Sequence, residues 1–120
     1  MTLLAIDAST RNTGIAIFDG VHVRYECAWH SEQFHSVELA PAIGLGLRRA
    51  GVLAKQLKVL AVAIGPGSYT GLRIGLALAK GMAFARNLAM VAVPTLDVLA
   101  HGQPLQVMPM ASVLQAGRGR

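Results

Sequence analysis

Cysteine, aromatic residues and charge are all scarce in this chain, and each scarcity excludes a class of protein. The 120 residues include one cysteine, Cys27, so no internal disulfide can form and a disulfide-stapled secreted domain is excluded. Charged residues make up 14% of the chain against 53% apolar residues, a balance that argues against disorder. No membrane span is expected, because Pro66, Arg73, Lys80 and Pro94 interrupt the charge-poor stretches.

Acidic residues are also few, at six against eleven Lys and Arg, which gives a formal net charge of +5. The basic residues are scattered singly, apart from Arg48-Arg49 and two near the end of the chain, and no basic stripe is interleaved with aromatic residues. Charge-driven RNA binding is therefore the weaker interpretation of this excess. Asp7 interrupts the first apolar run and no basic segment precedes it, so we expect no secretory signal and a cytoplasmic location.

The first third of the chain predicts a three-stranded antiparallel meander. An apolar run over residues 3–7 and another over 15–18 flank a turn-like segment, and Asp19-Gly20 then gives a strong hairpin signal. Beyond that dipeptide, apolar residues alternate with polar ones up to Trp29, which is typical of a strand with one buried face.

The rest of the chain alternates between helical and strand patterns. The first helix begins near residue 36, where apolar residues change to helical spacing, and it ends at the stop signal of Gly51. A wholly apolar run over 59–64 then predicts a strand buried on both faces. The result is a mixed α/β layer with its strands central and its helices on the faces of the sheet. The predicted elements are a helix over 36–50, a strand over 59–64, a helix from the following glycine loop to about Arg86, a strand over 90–93, a short helix from Thr95 to about Ala100 and a strand over 106–114.

A glycine-rich loop, Gly65 to Gly71, joins the apolar strand to the second helix. Backbone N–H groups and the positive end of a helix dipole could hold an anion there. The alternative is that the glycines shape a tight turn and Thr70 caps the helix. The loop is neither a Walker A loop nor a nucleophile elbow, because no Lys-Ser/Thr follows the glycines and Ser68 comes directly after Gly67.

The second helix is apolar around about three-quarters of its circumference, with a polar sector only around Arg73 and Lys80. A surface helix on a small sheet needs only one apolar stripe, so we expect an intermolecular helix–helix interface, and Gly75→Leu should abolish association and leave the fold intact. A helical wheel does not separate residues that face a partner from residues that face the sheet. The candidate interface residues are Leu39, Ile43, Leu47, Gly71, Gly75, Leu78, Ala79 and Met82.

Several motifs together resemble the TsaB (YeaZ) family of glycoprotease-like proteins, which act in tRNA threonylcarbamoyladenosine biosynthesis. The resemblance covers essentially the whole chain, and the long glycine block is its most specific part. The matching segments are Ala5-Ile-Asp-Ala-Ser-Thr10, His35-Ser36 with Leu39 and Pro41, Gly65-Pro-Gly-Ser-Tyr-Thr-Gly-Leu-Arg-Ile-Gly75, Lys80-Gly81 and Val93-Pro-Thr-Leu96.

The resemblance implies the actin/Hsp70/sugar-kinase ATPase fold, which is built from two RNase H-like domains. Residues 1–105 would form the N-terminal domain, with a mixed five-stranded sheet, and residues 106–120 would begin a truncated second domain. Asp7, Ser9 and Thr10 would occupy the place of the first phosphate loop. With Gly65, Gly67 and Ser68 they are the candidate nucleotide or anion-binding residues.

The family role implied is that of a non-catalytic scaffold. Such a protein binds TsaD, the catalytic subunit, and works with the ATPase TsaE to transfer a threonylcarbamoyl group to N6 of a tRNA adenosine. The resemblance also implies a homodimer in isolation and only indirect contact with tRNA. No metal is expected, because Leu39 stands where the catalytic relative has its second histidine after the position of His35. No cofactor is expected either, with ATP or ADP as the weaker option.

Two other functions remain open from the sequence. The first is an ATP-dependent enzyme of the sugar-kinase type, with Asp7 near Mg²⁺ and residues 65–68 near a phosphate. The second is a direct tRNA-binding module, which a steep salt dependence of tRNA affinity would support. Protease activity has no support, because no His-Glu-x-x-His motif is present and Cys27 lies in a strand that faces the core.

Overall fold

The computed structural model describes residues 2–31, 36–65, 67 and 69–94, and at 36 and 37 the backbone alone. Within these residues the chain forms five strands, two α-helices and one short 3-10 turn. The elements are β1 Thr2–Asp7, β2 Asn12–Phe18, β3 Val23–His30, α1 Ser36–Ala50, the 3-10 turn Ala54–Gln56, β4 Leu57–Ala63, α2 Tyr69–Arg86 and β5 Ala89–Val93.

The five strands form one sheet in the order β3-β2-β1-β4-β5. The first three pair antiparallel as a meander, whereas β4 pairs parallel with β1 on one side and with β5 on the other. The first strand is therefore the central one. Because β1 and β4 run parallel, their carboxyl ends lie side by side, and the loops that follow them meet at one edge of the sheet.

Both helices pack on the same face of the sheet, α1 over β2 and β3 and α2 over β1, β4 and β5. Alternate residues of the strands point into this layer, as the period of a strand requires. No described helix is long and apolar enough to cross a membrane. The buried core consists of Leu4, Ile6, Ile15, Ile17, Leu39, Ile43, Ala50, Leu57, Leu60, Val62 and Ala79.

Each long helix ends on a residue in the left-handed region. Gly51 follows α1 with φ 71°, and the N–H groups of Gly51 and Val52 donate to the carbonyls of Arg48 and Leu47 at 3.2 and 3.0 Å. Asn87 follows α2 with φ 55°. The two hydrogen bonds at the end of α1 satisfy carbonyl groups that a helix end would otherwise leave unpaired. The stop signal at Gly51 is thus confirmed.

The Asp19-Gly20 hairpin is also present between β2 and β3. The Asp19 carboxylate accepts hydrogen bonds from the backbone N–H groups of Val21 and His22 at 2.8 and 2.7 Å, and Arg24 pairs with it at 3.2 Å. These donors favour the charged carboxylate, with the His22 N–H contributing most, and they lower the pKa of Asp19 from 3.8 to about 2.

The predicted fold class is confirmed, with two local differences. The strand expected over 59–64 begins at Leu57, and on its second face Val59 and Ala61 are only half-buried because both helices lie on the other side. Val21, expected in the third strand, lies in the turn and is 75% exposed. The short helix expected over 95–100, the strand over 106–114 and the start of the second domain lie outside the described residues.

Candidate functional site

The loop after β1 is held by the carboxylate at the end of that strand. Asp7 Oδ1 accepts hydrogen bonds from both the backbone N–H and the hydroxyl of Ser9, at 3.0 and 2.5 Å. Ser9 is 1% exposed. Both donors of Ser9 therefore point at Asp7, and this half of the predicted phosphate loop is a closed turn in the structure.

The next residue builds its turn in the same way. Thr10 Oγ1 accepts a hydrogen bond from the Asn12 N–H at 3.2 Å and donates to the Asn12 carbonyl at 3.3 Å. Thr10 is thus engaged with the backbone that starts β2. A bound phosphate would need these local hydrogen bonds to be exchanged for bonds to the ligand.

The glycine-rich loop comes directly against the first loop. A Cβ on Gly67 would collide with the carbonyl oxygen of Ser9 and lie 2.8 Å from its Cβ, so no other residue fits without movement of the backbone. Gly65 has φ 114°, a conformation that favours glycine. The structure thus brings together Asp7, Ser9, Gly65 and Gly67, whereas Ser68 lies outside the described residues.

A small cavity lies behind these loops, between the start of β2, the end of β3 and the first turns of both helices. Its volume is about 10 Å³, enough for about one water molecule, and its polar lining is Thr13, Ser31 and Glu38. Glu38 Oε2 accepts a hydrogen bond from Trp29 Nε1 at 3.1 Å, which ties α1 to β3. This contact is not predictable from the sequence, because nothing local in the sequence relates the two residues.

Among the described residues, no three His, Cys, Asp or Glu side chains are close enough to share a metal ion. His35 lies outside the described part of the chain, and Leu39, the residue four positions later, is buried in the core.

The predicted partner interface is corrected for five of its eight residues. Leu39, Ile43 and Ala79 are 2%, 4% and 0% exposed, and Gly71 and Gly75 are also buried. A Cβ on Gly75 would already lie 3.4 Å from Ala8 Cβ. The small residues of α2 therefore let that helix approach the chain's own sheet, and they are not available to a partner. The remaining candidates, Leu47, Leu78 and Met82, are half-buried against the core.

The opposite sides of both helices form an exposed surface, here named the outward surface. Phe84 dominates it at 94% exposure. Phe84 is not among the interface residues predicted from the sequence, although its position four residues after Lys80 places it in the polar sector of the helical wheel. The outward surface consists of Pro41, Leu45 and Arg48 on α1 and of Arg73, Ala77, Lys80, Gly81 and Phe84 on α2.

Comparison with known proteins agrees with this architecture. The family model described as TsaD, tRNA N6-adenosine threonylcarbamoyltransferase, matches residues 29–120. The structure of YeaZ from Pseudomonas aeruginosa superimposes with a TM-score of 0.80 and 32% identity, over 84% of this chain and 47% of that one. The chain belongs to the TsaD-type family, and within it to the TsaB (YeaZ) group.

Two relatives of the TsaB group show how much of the family's length is covered. The tRNA threonylcarbamoyladenosine biosynthesis protein TsaB of Bacillus subtilis is 40% identical over 100 residues, which are 83% of this chain and 44% of the relative. The TsaB protein of Escherichia coli is 35% identical over 104 residues, again covering 44% of the relative. The chain thus spans less than half the length of these TsaB proteins.

Proposed function

We propose that this chain acts in tRNA N6-threonylcarbamoyladenosine biosynthesis as a non-catalytic scaffold that binds a TsaD-like catalytic subunit. Family membership supports the pathway, since the TsaB relatives are named as biosynthesis proteins and the matching family model is named for the transferase. The proposal further includes a TsaE-like ATPase as a third component, self-association when the catalytic subunit is absent, contact with tRNA only through the complex, and a cytoplasmic location.

The state of the first loop supports a non-catalytic role. Asp7 would have to contact Mg²⁺ or a reacting group in a sugar-kinase type mechanism, whereas in the structure its Oδ1 accepts both donors of Ser9. Ser9 in turn contacts Gly67 through its backbone. Ser9 is 1% exposed, so neither its hydroxyl nor its N–H faces solvent, where a substrate or a phosphate would have to bind.

The observation that carries the proposal is the outward surface with the exposed Phe84 near the end of α2. A phenylalanine that is 94% exposed contributes little to the chain's own fold. Exposed aromatic residues surrounded by small and apolar neighbours are typical of protein–protein contacts, where a few such residues supply most of the binding energy. Gly81 and Ala77 lie about one and two turns before Phe84 on the same exposed side of α2, and their small size leaves room for a partner helix to approach.

The test is binding of this chain to a purified TsaD-like subunit from the same source, measured by isothermal titration. The chain should bind, and Phe84→Ala should weaken the affinity by at least about tenfold, because it removes the largest exposed apolar side chain of the surface. Absence of binding by the unmodified chain would contradict the scaffold role.

Val21→Ala is the matched control. Val21 is 75% exposed in the turn between β2 and β3 and belongs to neither helix. The Val21→Ala substitution removes exposed apolar surface without changing the outward surface. The affinity of this variant for the catalytic subunit should therefore equal that of the unmodified chain. Equal losses for Val21→Ala and Phe84→Ala would show that the outward surface is not the docking surface.

A further inference from the structure

The face of the sheet opposite the two helices carries a row of alanine side chains across its centre. Ala61 of β4 pairs with Ala5 of β1, and Ala5 pairs with Ala16 of β2. Residues that lie directly opposite each other on paired strands share one face, so the three methyl groups lie side by side. All three residues are half-buried, because α1 and α2 cover the other face.

Larger apolar side chains border this row. Leu3 pairs with Phe18 and with Val59 in the neighbouring row, and Val91 extends the alanine row onto β5. On β4 and β5 the surface is lined by alanine and valine. Short side chains between longer ones leave a groove of about 780 Å³, here named the alanine groove and defined by Ala5, Ala16 and Ala61.

The alanine groove crosses the parallel part of the sheet, where β4 pairs with β1 and with β5. Parallel sheets are covered on both faces in nearly all proteins, because helical connections pack on them. The second helix covers one face of these strands, whereas on the other face Val91 is 48% exposed. An apolar segment seated in the groove would remove this surface from water and so stabilise the fold.

The chain leaves the sheet beside this groove. Val93 is the last residue of β5 and lines the groove, and Pro94 follows it. Residues 95–120 come next in the sequence, so the first of them are held close to the groove by their connection to β5. Such a tether gives a segment of the same chain a high effective concentration, which a second copy or another protein lacks.

The sequence over 95–101 has the pattern of a short amphipathic helix. Leu96 and Leu99 are three residues apart and share one side of such a helix. Asp97 and His101 are four residues apart and share a different side. The segment therefore offers an apolar side to the sheet and a polar side to solvent.

We propose that residues 95–101 pack on the alanine groove as an amphipathic helix, with Leu96 and Leu99 against the methyl groups of Ala5 and Ala61. A helix is about 10 Å wide and neighbouring strands are about 4.8 Å apart, so one helix covers about two strands, here β4 and β1. Alanine at the centre of the sheet lets a helix approach closely, and the two leucines fill the space above it. The inference is independent of the proposed function, because it concerns the face of the sheet away from the outward surface.

The test measures how fast a thiol in the groove reacts with a maleimide. Cys27 is first replaced by serine, so that the introduced cysteine is the sole thiol of the full chain. Ala61→Cys places the thiol in the groove, and Ala28→Cys places the matched thiol on the same face at the exposed β3, three strands away. The Ala61→Cys thiol should react at least about tenfold more slowly, because burial protects a thiol.

Polar substitution of the two leucines gives the decisive comparison. Leu96→Ser/Leu99→Ser should speed the reaction of the Ala61→Cys thiol by at least about tenfold and leave the Ala28→Cys rate unchanged. An Ala61→Cys rate that the two serines do not change would overturn the proposal. Protection that disappears on dilution from about 50 µM to about 1 µM protein would assign the groove to a second copy and would also overturn it.

Disulfide trapping keeps the test independent of any loss of folding in the serine variant. In the presence of oxidised glutathione, the thiol of Ala61→Cys should form an intramolecular disulfide with that of Leu96→Cys or Leu99→Cys, since a disulfide requires the two Cβ atoms to lie about 4 Å apart. Asp97→Cys is the matched control on another side of the helix, and its yield should be at least about tenfold lower. Equal yields at Asp97 and the leucines, or no disulfide at either leucine, would show that residues 95–101 do not occupy the groove.

Discussion

Gly67 shows how a single residue joins two distant parts of the chain. Its backbone lies against Ser9 so closely that an added Cβ would meet the Ser9 carbonyl oxygen. We expect Gly67→Ala to lower the free energy of unfolding by about 2 kcal/mol, because the two loops must move apart to accept the methyl group. Urea denaturation followed by circular dichroism measures this change.

Gly81→Ala is the matched substitution in the same part of the chain. Gly81 lies inside α2, and a Cβ there would meet nothing within 4 Å. Alanine favours a helix over glycine by about 1 kcal/mol, so this variant should be more stable than the unmodified chain. Destabilisation by both substitutions to the same degree would show that the contact with Ser9 is not the cause.

Residue-scale features that depend on neighbours in sequence could be predicted, and those that depend on distant residues could not. Asp19-Gly20 and Gly51 act through backbone bonds a few positions away, so their sequence signals were sufficient. The glycine loop was recognised as a turn or an anion site, but its contact with Ser9 requires the parallel pairing of β1 and β4. Such pairing between distant segments has no local signature.

At the scale of elements, one face of α2 packs against the sheet and the other is exposed to solvent. Gly75 and Ala79 lie against the sheet, whereas Phe84 points away from it. The sequence predicts the apolar character of α2 and offers its glycines as interface candidates, but it leaves open which side of the helix meets the sheet. A wheel gives only angles around a helix, and three-quarters of this one is apolar, so the side that meets the sheet was not determined.

We therefore expect Gly75→Leu to damage folding, contrary to the expectation from sequence. A Cβ at Gly75 would lie 3.4 Å from Ala8 Cβ and 3.9 Å from Ile6 Cγ2, which leaves no space for the remaining leucine carbons. The free energy of unfolding should fall by about 3 kcal/mol or more. Phe84→Ala should change it by less than about 0.5 kcal/mol, since the ring is exposed.

Thermal unfolding of the two variants of α2 checks this assignment. A large fall in Tm for Gly75→Leu with an unchanged Tm for Phe84→Ala would separate the folding face from the outward surface. A well-folded Gly75→Leu protein that no longer binds its partner would instead restore the interface expected from the sequence.

At the scale of the whole molecule, the parallel pairing of β1 and β4 brings the loops that follow them to one edge of the sheet, and side chains of the first loop bond to their own neighbours there. Asp7 accepts both donors of Ser9, and Thr10 is bonded to Asn12. We expect about 5 mM ATP with Mg²⁺ to raise the Tm by less than about 1 °C, since a ligand stabilises a fold only in proportion to its binding.

Isothermal titration gives the complementary measurement for the nucleotide. An affinity in the micromolar range or tighter would favour the ATP-dependent enzyme and would require the Asp7–Ser9 turn to open. Sodium sulfate at the same ionic strength is the control, because it separates a general salt effect from binding of the nucleotide.

The fold class could be predicted nearly completely because alternation, helix stops and turn signals all agreed over residues 2–93. The sheet order within the meander followed from its short turns. The pairing of β4 beside β1, the single covered face of the sheet and the contact of Trp29 with Glu38 depend on how elements meet in space. The sequence of one element contains no local signal for the residues that it contacts on another element.

The central position of β1 also has a consequence for how the protein is made. On the ribosome the chain emerges from its N-terminus, so β2 and β3 can pair with β1 while β4 is still inside the exit tunnel. During that interval one edge of β1 is unpaired. The side chains of Leu4 and Ile6, which are buried in the folded protein, are then exposed to solvent. Unpaired edges of this kind attract other strands, so a nascent chain of this protein should depend on chaperone protection until its fourth strand arrives.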